Sequence, residues 1–343
     1  MNLLRTYVVV LVLTACGTAS FGANGAVFQT TVTPLADEDI AAPCGYELTL
    51  LDPSRPVRAV WVIFDRGRDM LRFYGDPDVQ RFAQRNDWAL LLAFHCRAKT
   101  TEDMNVDPDK GLGRALITAL NQLADATKHP ELQQAKLVAL SFSGPGCLVA
   151  RLPEYAPDRF VAVIPADAGQ GDPLGLDTVR LSPRGIAVPQ LVLSGGSDGV
   201  SGTARPYAYF RKYFDQGAPW TFVVQNRTPH CCIINTKSLV LEWLSAVALK
   251  DVTRREGAYG FIKTTPSGID DCPSPRPPLT PPSCHGGSDT WGAPTWSASA
   301  VVTSRRGDVP NGMVPAGWLP TRRFAGEWRA FVSQPEHPIT SMP

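Results

Sequence analysis

Between residues 46 and 250 short apolar runs alternate with stretches of helical periodicity. Six runs stand out: "RAVWVIF" (58–64), "WALLLAF" (88–94), "KLVALSF" (136–142), "RFVAVIP" (159–165), "PQLVLSG" (189–195) and "WTFVVQN" (220–226). Most are apolar without interruption, the pattern of strands covered on both faces rather than on one. Between the second and third lies "KGLGRALITALNQLADATKH", where Leu112, Leu116, Ala119, Leu120 and Leu123 recur at helical spacing. "NTKSLVLEWLSAVALK" repeats the pattern through Val240, Trp243, Leu244 and Val247. Strands alternating with helices predict an α/β fold, a mostly parallel sheet flanked by helices.

The pattern changes outside this region. The connection 166–188 between the fourth and fifth runs carries no long helical pattern, which argues against a large lid and leaves two alternatives, an open site or one closed by the C-terminal tail folding back. After Val252 comes "SPRPPLTPPSC", a stiff extended segment, and 14 of the chain's 31 prolines lie from Pro266 to Pro343. An irregular proline-rich C-terminal extension is expected over 251–343, packing on the core. In it "WLPTRRFAGEWRAFV" predicts a last helix with Phe324, Trp328 and Phe331 on one face. Four of the eight tryptophans fall in this extension, and pinning it to the core is preferred over binding a polymer there. At the other end "MNLLRTYVVVLVLTACG" places one cation before an apolar run too short to span a bilayer, an export signal over 1–23. Residues 24–45 form an N-terminal segment, and the domain proper runs over 46–250.

With 44% hydrophobic residues, 343 residues can fill a substantial core, and a net charge of +1 leaves no field for nucleic acid. Eight cysteines suit an exported chain. Setting Cys16 aside, seven remain, so at least one thiol is unpaired within the chain. Cys147 is the candidate buried free thiol, and Cys272 is expected to pair with Cys284. The adjacent Cys231 and Cys232 are expected to hold their loop through a disulfide to Cys96 or Cys44, rather than to bond each other. Cys272, Cys284 and His285 lack a C-x-x-C pair or a second histidine, so no metal site is assigned.

Candidate chemistry collects where the apolar runs end. Ser143 follows the third in "VALSFSGPGCL", Asp198 the fifth in "LVLSGGSDGV" and His230 the sixth in "FVVQNRTPHCC". In a parallel sheet these ends share one edge, where open α/β sheets bind their ligands. A serine hydroxyl becomes a nucleophile when a base takes its proton and a third group orients that base. Each residue also has a plainer reading: Ser143 as a helix cap before Pro145, Asp198 as a turn former, His230 as a loop histidine. Asp167, after the fourth run, is the second candidate acid, and His95, after the second, the rival base.

Residues 46–250 resemble an α/β-hydrolase, on Ser141-Phe142-Ser143-Gly144, Asp198 and His230 taken in that chain order. Within that superfamily the resemblance is to extracellular esterases related to polyhydroxyalkanoate depolymerases and feruloyl esterases. It implies Ser143 as nucleophile, Asp198 as acid, His230 as base and the Gly144 amide as an oxyanion donor, with no metal or organic cofactor. The second donor is expected from the loop after the first run, where the family carries His-Gly and this chain reads Asp65-Arg66-Gly67. Arg66 or Gly67 is therefore the candidate. Ser141 and Pro145 replace the glycines of G-x-S-x-G; serine is small enough for the turn, and the Gly144 amide does not depend on position 145. The run ending Leu13-Thr14-Ala15-Cys16 likewise resembles the lipobox of bacterial lipoproteins, in which Cys16 would be lipidated. The alternative is a plain secretory signal cleaved nearer Ala19 or Ala23. The resulting expectation is an exported serine esterase, in the cell envelope or secreted. It would act on an ester, including bulky or polymeric ones, and touch a membrane only through a lipid anchor. The alternatives are a non-catalytic binding lipoprotein on the same fold and a serine peptidase with the same triad.

Overall fold

The computed structural model describes residues 25–99, 107–168, 180–249, 257–264 and 297–339. Every apolar run named above is a strand within two residues of its expected bounds. Strand β1 (Ala26–Val32) is followed by β2 (Cys44–Leu50) and β3 (Ala59–Phe64). Helices α1 (Arg68–Tyr74) and α2 (Pro77–Arg85) lead to β4 (Trp88–Phe94) and α3 (Leu112–Thr127). Then come β5 (Lys136–Phe142), α4 (Gly144–Tyr155), β6 (Phe160–Ala166) and the short α5 (Pro183–Ala187). The domain continues with β7 (Leu191–Gly195), α6 (Ala204–Phe214), β8 (Thr221–Gln225) and α7 (Lys237–Val247). Three further strands, β9 (Ala258–Thr264), β10 (Ala298–Thr303) and β11 (Val314–Leu319), precede α8 (Arg322–Val332). Among the described residues no helix is long and apolar enough to cross a membrane.

These strands form one sheet in the order β1-β2-β4-β3-β5-β6-β7-β8-β11-β9-β10. The run from β4 to β8 is parallel, and β2 joins β4 antiparallel. Alternation within the parallel strands feeds two cores. Trp61, Ile63, Leu90, Val138 and Leu140 face Phe73, Phe82 and Trp243 in one. Val60, Val62, Leu91 and Ala139 face Leu116, Leu120 and Leu123 of α3 in the other. Burial on both faces is why these strands read as continuous apolar runs. The fold is α/β, a mostly parallel sheet flanked by helices.

Both flanking segments add to this sheet. Residues 25–45 supply β1 and the start of β2; half-buried positions alternate with exposed ones along β1 and interrupt the buried ones along β2, in contrast with the apolar centre. The C-terminal extension contributes three antiparallel strands beyond β8. Its join is close: the Trp318 N–H donates to the Trp220 carbonyl at 2.8 Å, and Thr221 Oγ1 donates to the Trp318 carbonyl at 2.5 Å. A Cβ on Gly317 would lie 2.3 Å from the Trp220 carbonyl oxygen, so only glycine lets the backbones meet there. As expected, Phe324 and Trp328 of α8 are buried, with Phe331 partly so, and Trp328 Nε1 donates to the Phe222 carbonyl at 2.9 Å. Asn226, directly after β8, donates to the carbonyls of Ala298, Val332 and Gln334 and accepts from the Ala298 N–H. The tryptophans described in the extension thus pin it down. Its proline-rich segment, with Cys272, Cys284 and His285, lies outside the described residues, as do residues 1–24 with Cys16.

Candidate active site

Strand β5 ends at Phe142 and α4 begins at Gly144, so Ser143 alone makes the turn, with φ 61° and ψ −132°. A serine in this region costs about 1–3 kcal/mol, and such strain persists where neighbours over-determine it. Here its N–H donates to the Ala166 carbonyl at 2.8 Å, and its carbonyl accepts from the Gly146 N–H at 3.0 Å. The glycine this turn cannot lose is Gly146: a Cβ there would lie 2.8 Å from Ala168 Cβ and 3.1 Å from the Ala166 carbonyl oxygen. Pro145 falls in the first turn of α4, where a missing N–H costs no helical bond. Ser141 is fully buried and its hydroxyl donates to the Phe64 carbonyl at 2.9 Å. It thereby ties the elbow to the end of β3, a bond a glycine there would lack.

The Ser143 side chain makes no helix-capping bond. Its Oγ lies 2.9 Å from His230 Nε2, and His230 Nδ1 lies 2.9 Å from Asp198 Oδ2. The structure therefore brings together Ser143 from the end of β5, Asp198 from the loop after β7 and His230 from the loop after β8. Asp198 is fully buried; its Oδ1 accepts the N–H groups of Val200 and Ser201 at 2.8 and 2.9 Å, which leaves Oδ2 aimed at the imidazole. Phe142 packs on the His230 ring with centroids 4.6 Å apart. Gly195 lets the two loops approach, since a Cβ on it would sit 2.6 Å from the Thr228 carbonyl oxygen.

Two more acids border this group. Asp167, at the end of β6, is buried, and its Oδ1 accepts the Gly195 N–H at 2.5 Å. Burial first and the Asp198 charge second push its carboxyl well above the usual carboxylate range; the Gly195 N–H opposes them, and Asp69 adds a smaller push upward. Asp69 of α1 accepts the Cys232 N–H at 2.9 Å, joining α1 to the loop of His230. One ligand atom from each of Asp167, Asp198 and His230 falls within 4.8 Å of the others, which is metal-like spacing. Both Asp198 oxygens and both imidazole nitrogens already carry hydrogen bonds that a metal would have to displace.

At the expected oxyanion loop, the Gly67 N–H donates to Asp65 Oδ1 at 2.9 Å. His95 does not join the group; it is exposed and sits edge-on to Phe94.

The cysteine pairing expected for this loop is corrected. Cys231 and Cys232 are disulfide-bonded to each other, while Cys44, Cys96 and Cys147 form no disulfide, Cys147 being buried as expected. Sheet order explains it. The strand before Cys96 and the strand before Cys231 stand five places apart, about 24 Å at ordinary strand spacing. A disulfide needs Cα atoms within about 7 Å. Phe142 and Asp69 were not marked from the sequence. The signal for the first was its place inside the elbow; Asp69 had none, because its partner is 163 residues away.

No family model and no curated protein matches the chain. Among solved structures, a thermostable esterase aligns over 64% of this chain and 62% of its own, less than two thirds of its length, at 18% identity and a TM-score of 0.47. A ferulic acid esterase aligns over 65% of this chain and 98% of its own, at 12% identity and a TM-score of 0.46. A lidless a/b serine hydrolase from Xanthomonas campestris aligns over 69% and 100%, at 16% identity and a TM-score of 0.42. The likeness is one of fold.

Proposed function

We propose that the protein is a serine hydrolase that cleaves carboxylic esters through an acyl-enzyme intermediate. The observation that carries this reading is the pair of 2.9 Å contacts linking Ser143 Oγ, His230 and Asp198 Oδ2. In it Ser143 Oγ attacks the ester carbonyl while His230 Nε2 takes the hydroxyl proton. Asp198 keeps the imidazole in the tautomer that presents a bare Nε2 to serine, and it stabilises the imidazolium as it forms. The Gly144 amide and one from the loop after β3, that of Arg66 or Gly67, bind the oxyanion. His230 then returns its proton to the departing alcohol. Water, deprotonated by the same imidazole, releases the acid and regenerates Ser143. The substrate in this reading is an ester, bulky or polymeric ones included, in keeping with the short connection 166–188. The esterase relatives suggested by the elbow, among them depolymerases and feruloyl esterases, set the substrates to try first.

Export, with lipidation of Cys16, belongs to the same proposal and rests on the "LTAC" stretch. Incorporation of labelled fatty acid into the wild type but not into Cys16→Ala checks the anchor.

A fluorophosphonate probe tests the catalytic reading. It labels Ser143 in the folded protein, and Ser143→Ala abolishes both labelling and ester turnover. A folded wild type that takes no label would instead support a binding protein on this fold. Turnover of peptide bonds at the rate of matched esters would make it a peptidase.

A further inference from the structure

Resting on the reading of Ser143, His230 and Asp198 just given, we propose that Asp167 is a second acid of this site. It acts as a positioning residue that works on His230 together with Asp198 as one unit. Asp167 comes from a different strand end than Asp198, yet a carboxylate oxygen of each and a nitrogen of His230 lie within 4.8 Å of one another. Both acids are buried. Ser201 braces the two at once: its N–H donates to Asp198 Oδ1 at 2.9 Å and its hydroxyl to the Asp167 main-chain carbonyl at 2.7 Å. Asp167 sits at φ 41° directly after β6, with its N–H donating to the Leu193 carbonyl at 3.0 Å. The charged groups that face it are Asp198 on the loop after β7, His230 on the loop after β8 and Asp69 on α1.

Two carboxyls so close in a buried site repel each other as anions, and burial together with the Asp198 charge favours the proton on Asp167. With the proton kept on Asp167, the two acids present one negative charge to the imidazolium. Remove the Asp198 carboxylate and the repulsion that helps to hold this proton is gone, while burial still favours it. The His230 imidazolium that forms on serine attack then draws the proton off Asp167, and the single negative charge reappears within 4.8 Å of a His230 nitrogen. A merely structural Asp167, there to accept the Gly195 N–H, makes a different prediction. The Asp167→Asn variant keeps that acceptor and would then behave alike in every background.

The test is a four-protein cycle of wild type, Asp167→Asn, Asp198→Ala and the double variant. Folding is verified by thermal unfolding, and Ser143→Ala serves as the zero. The expected result is that Asp167→Asn lowers kcat about tenfold more in the Asp198→Ala background than in the wild type, the non-additivity of groups acting as a unit. The Asp198→Ala enzyme also acquires an acid limb in its kcat–pH profile, as Asp167 must ionise, and the double variant lacks that limb. Equal losses in both backgrounds, or Asp198→Ala turnover no higher than that of Ser143→Ala, overturns the proposal. Asp198→Ser runs the same cycle if the alanine variant does not fold. Should Ser143→Ala turn over ester like the wild type, the reading beneath falls as well. A dead Ser143→Ala with equal losses in the cycle removes only the role of Asp167.

Discussion

Replacing Ser141 by alanine tests whether the elbow and the loop after β3 are one mechanical unit. The Ser141 hydroxyl donates to the Phe64 carbonyl at 2.9 Å across 77 residues of chain, with the serine fully buried. Deleting the hydroxyl leaves a buried carbonyl without this donor, which costs about 1–3 kcal/mol of stability. The same bond sets the exit of β3, directly before Asp65-Arg66-Gly67. Loss of an oxyanion donor outright costs about 2.7–4 kcal/mol of transition-state stabilisation. Loosening the loop expresses a part of that, and about 1–1.5 kcal/mol corresponds to a fall of about 5–12-fold in kcat. KM for a small activated aryl ester should stay within about twofold, because ground-state binding does not use the oxyanion donors. Denaturant midpoints and steady-state kinetics on the same preparations provide both readouts. Ser141→Gly, which restores the family's glycine, should be at least as damaging, since it loses the same bond and adds backbone freedom. Wild-type stability with wild-type kcat would refute the argument. Lost stability with unchanged kcat would refute the link to the oxyanion loop and leave Ser141 a buried polar group only.

Three other outcomes follow from the same geometry. Gly195→Ala places a Cβ 2.6 Å from the Thr228 and 2.7 Å from the Pro229 carbonyl oxygens, so the loop of His230 must shift. Its kcat should drop toward the roughly 100-fold that a 1 Å misplacement costs, with the fold retained by circular dichroism. Reducing the Cys231–Cys232 bond with a dithiol, or changing both to serine, frees the segment directly after His230. Turnover should fall by about tenfold or more and, for the reduced wild type, return on reoxidation; a reduced enzyme with full activity would show the bond to be irrelevant to His230. Burial of His337, against Phe331 in the extension, holds its imidazole below its ordinary value near 6.5, so the folded state keeps it neutral. Its contribution to stability is therefore present above about pH 6.5 and is lost as pH falls toward the lowered folded value. The thermal midpoint of His337→Phe should decline less than that of the wild type on acidification over that window.

Much of this protein is determined along its sequence. Strands β3 to β8 and the helices α3 and α7 are legible because burial on both faces, or along one stripe, leaves a local signature that needs no partner to be read. The order Ser143, Asp198, His230 after successive strands is legible for the same reason, since a parallel sheet sends those strand ends to one edge. Strands β1, β2 and β9 to β11 were not read as strands. They are only partly covered or rich in small residues, and pairing with a neighbour is what holds them; Gly317 against Trp220 is one example. Only the tertiary structure decided that Cys231 bonds Cys232, because the distance to Cys96 depends on strand order and not on spacing along the chain. It alone placed Asp69 under the His230 loop and Asp167 beside Asp198. A carboxylate's partner there is chosen by which loops the folded sheet brings within hydrogen-bonding reach, a property no window of sequence contains. Ser141 belongs to both accounts: its small size is visible in "LSFSG", but its bond to Phe64 exists only once β3 and β5 lie side by side.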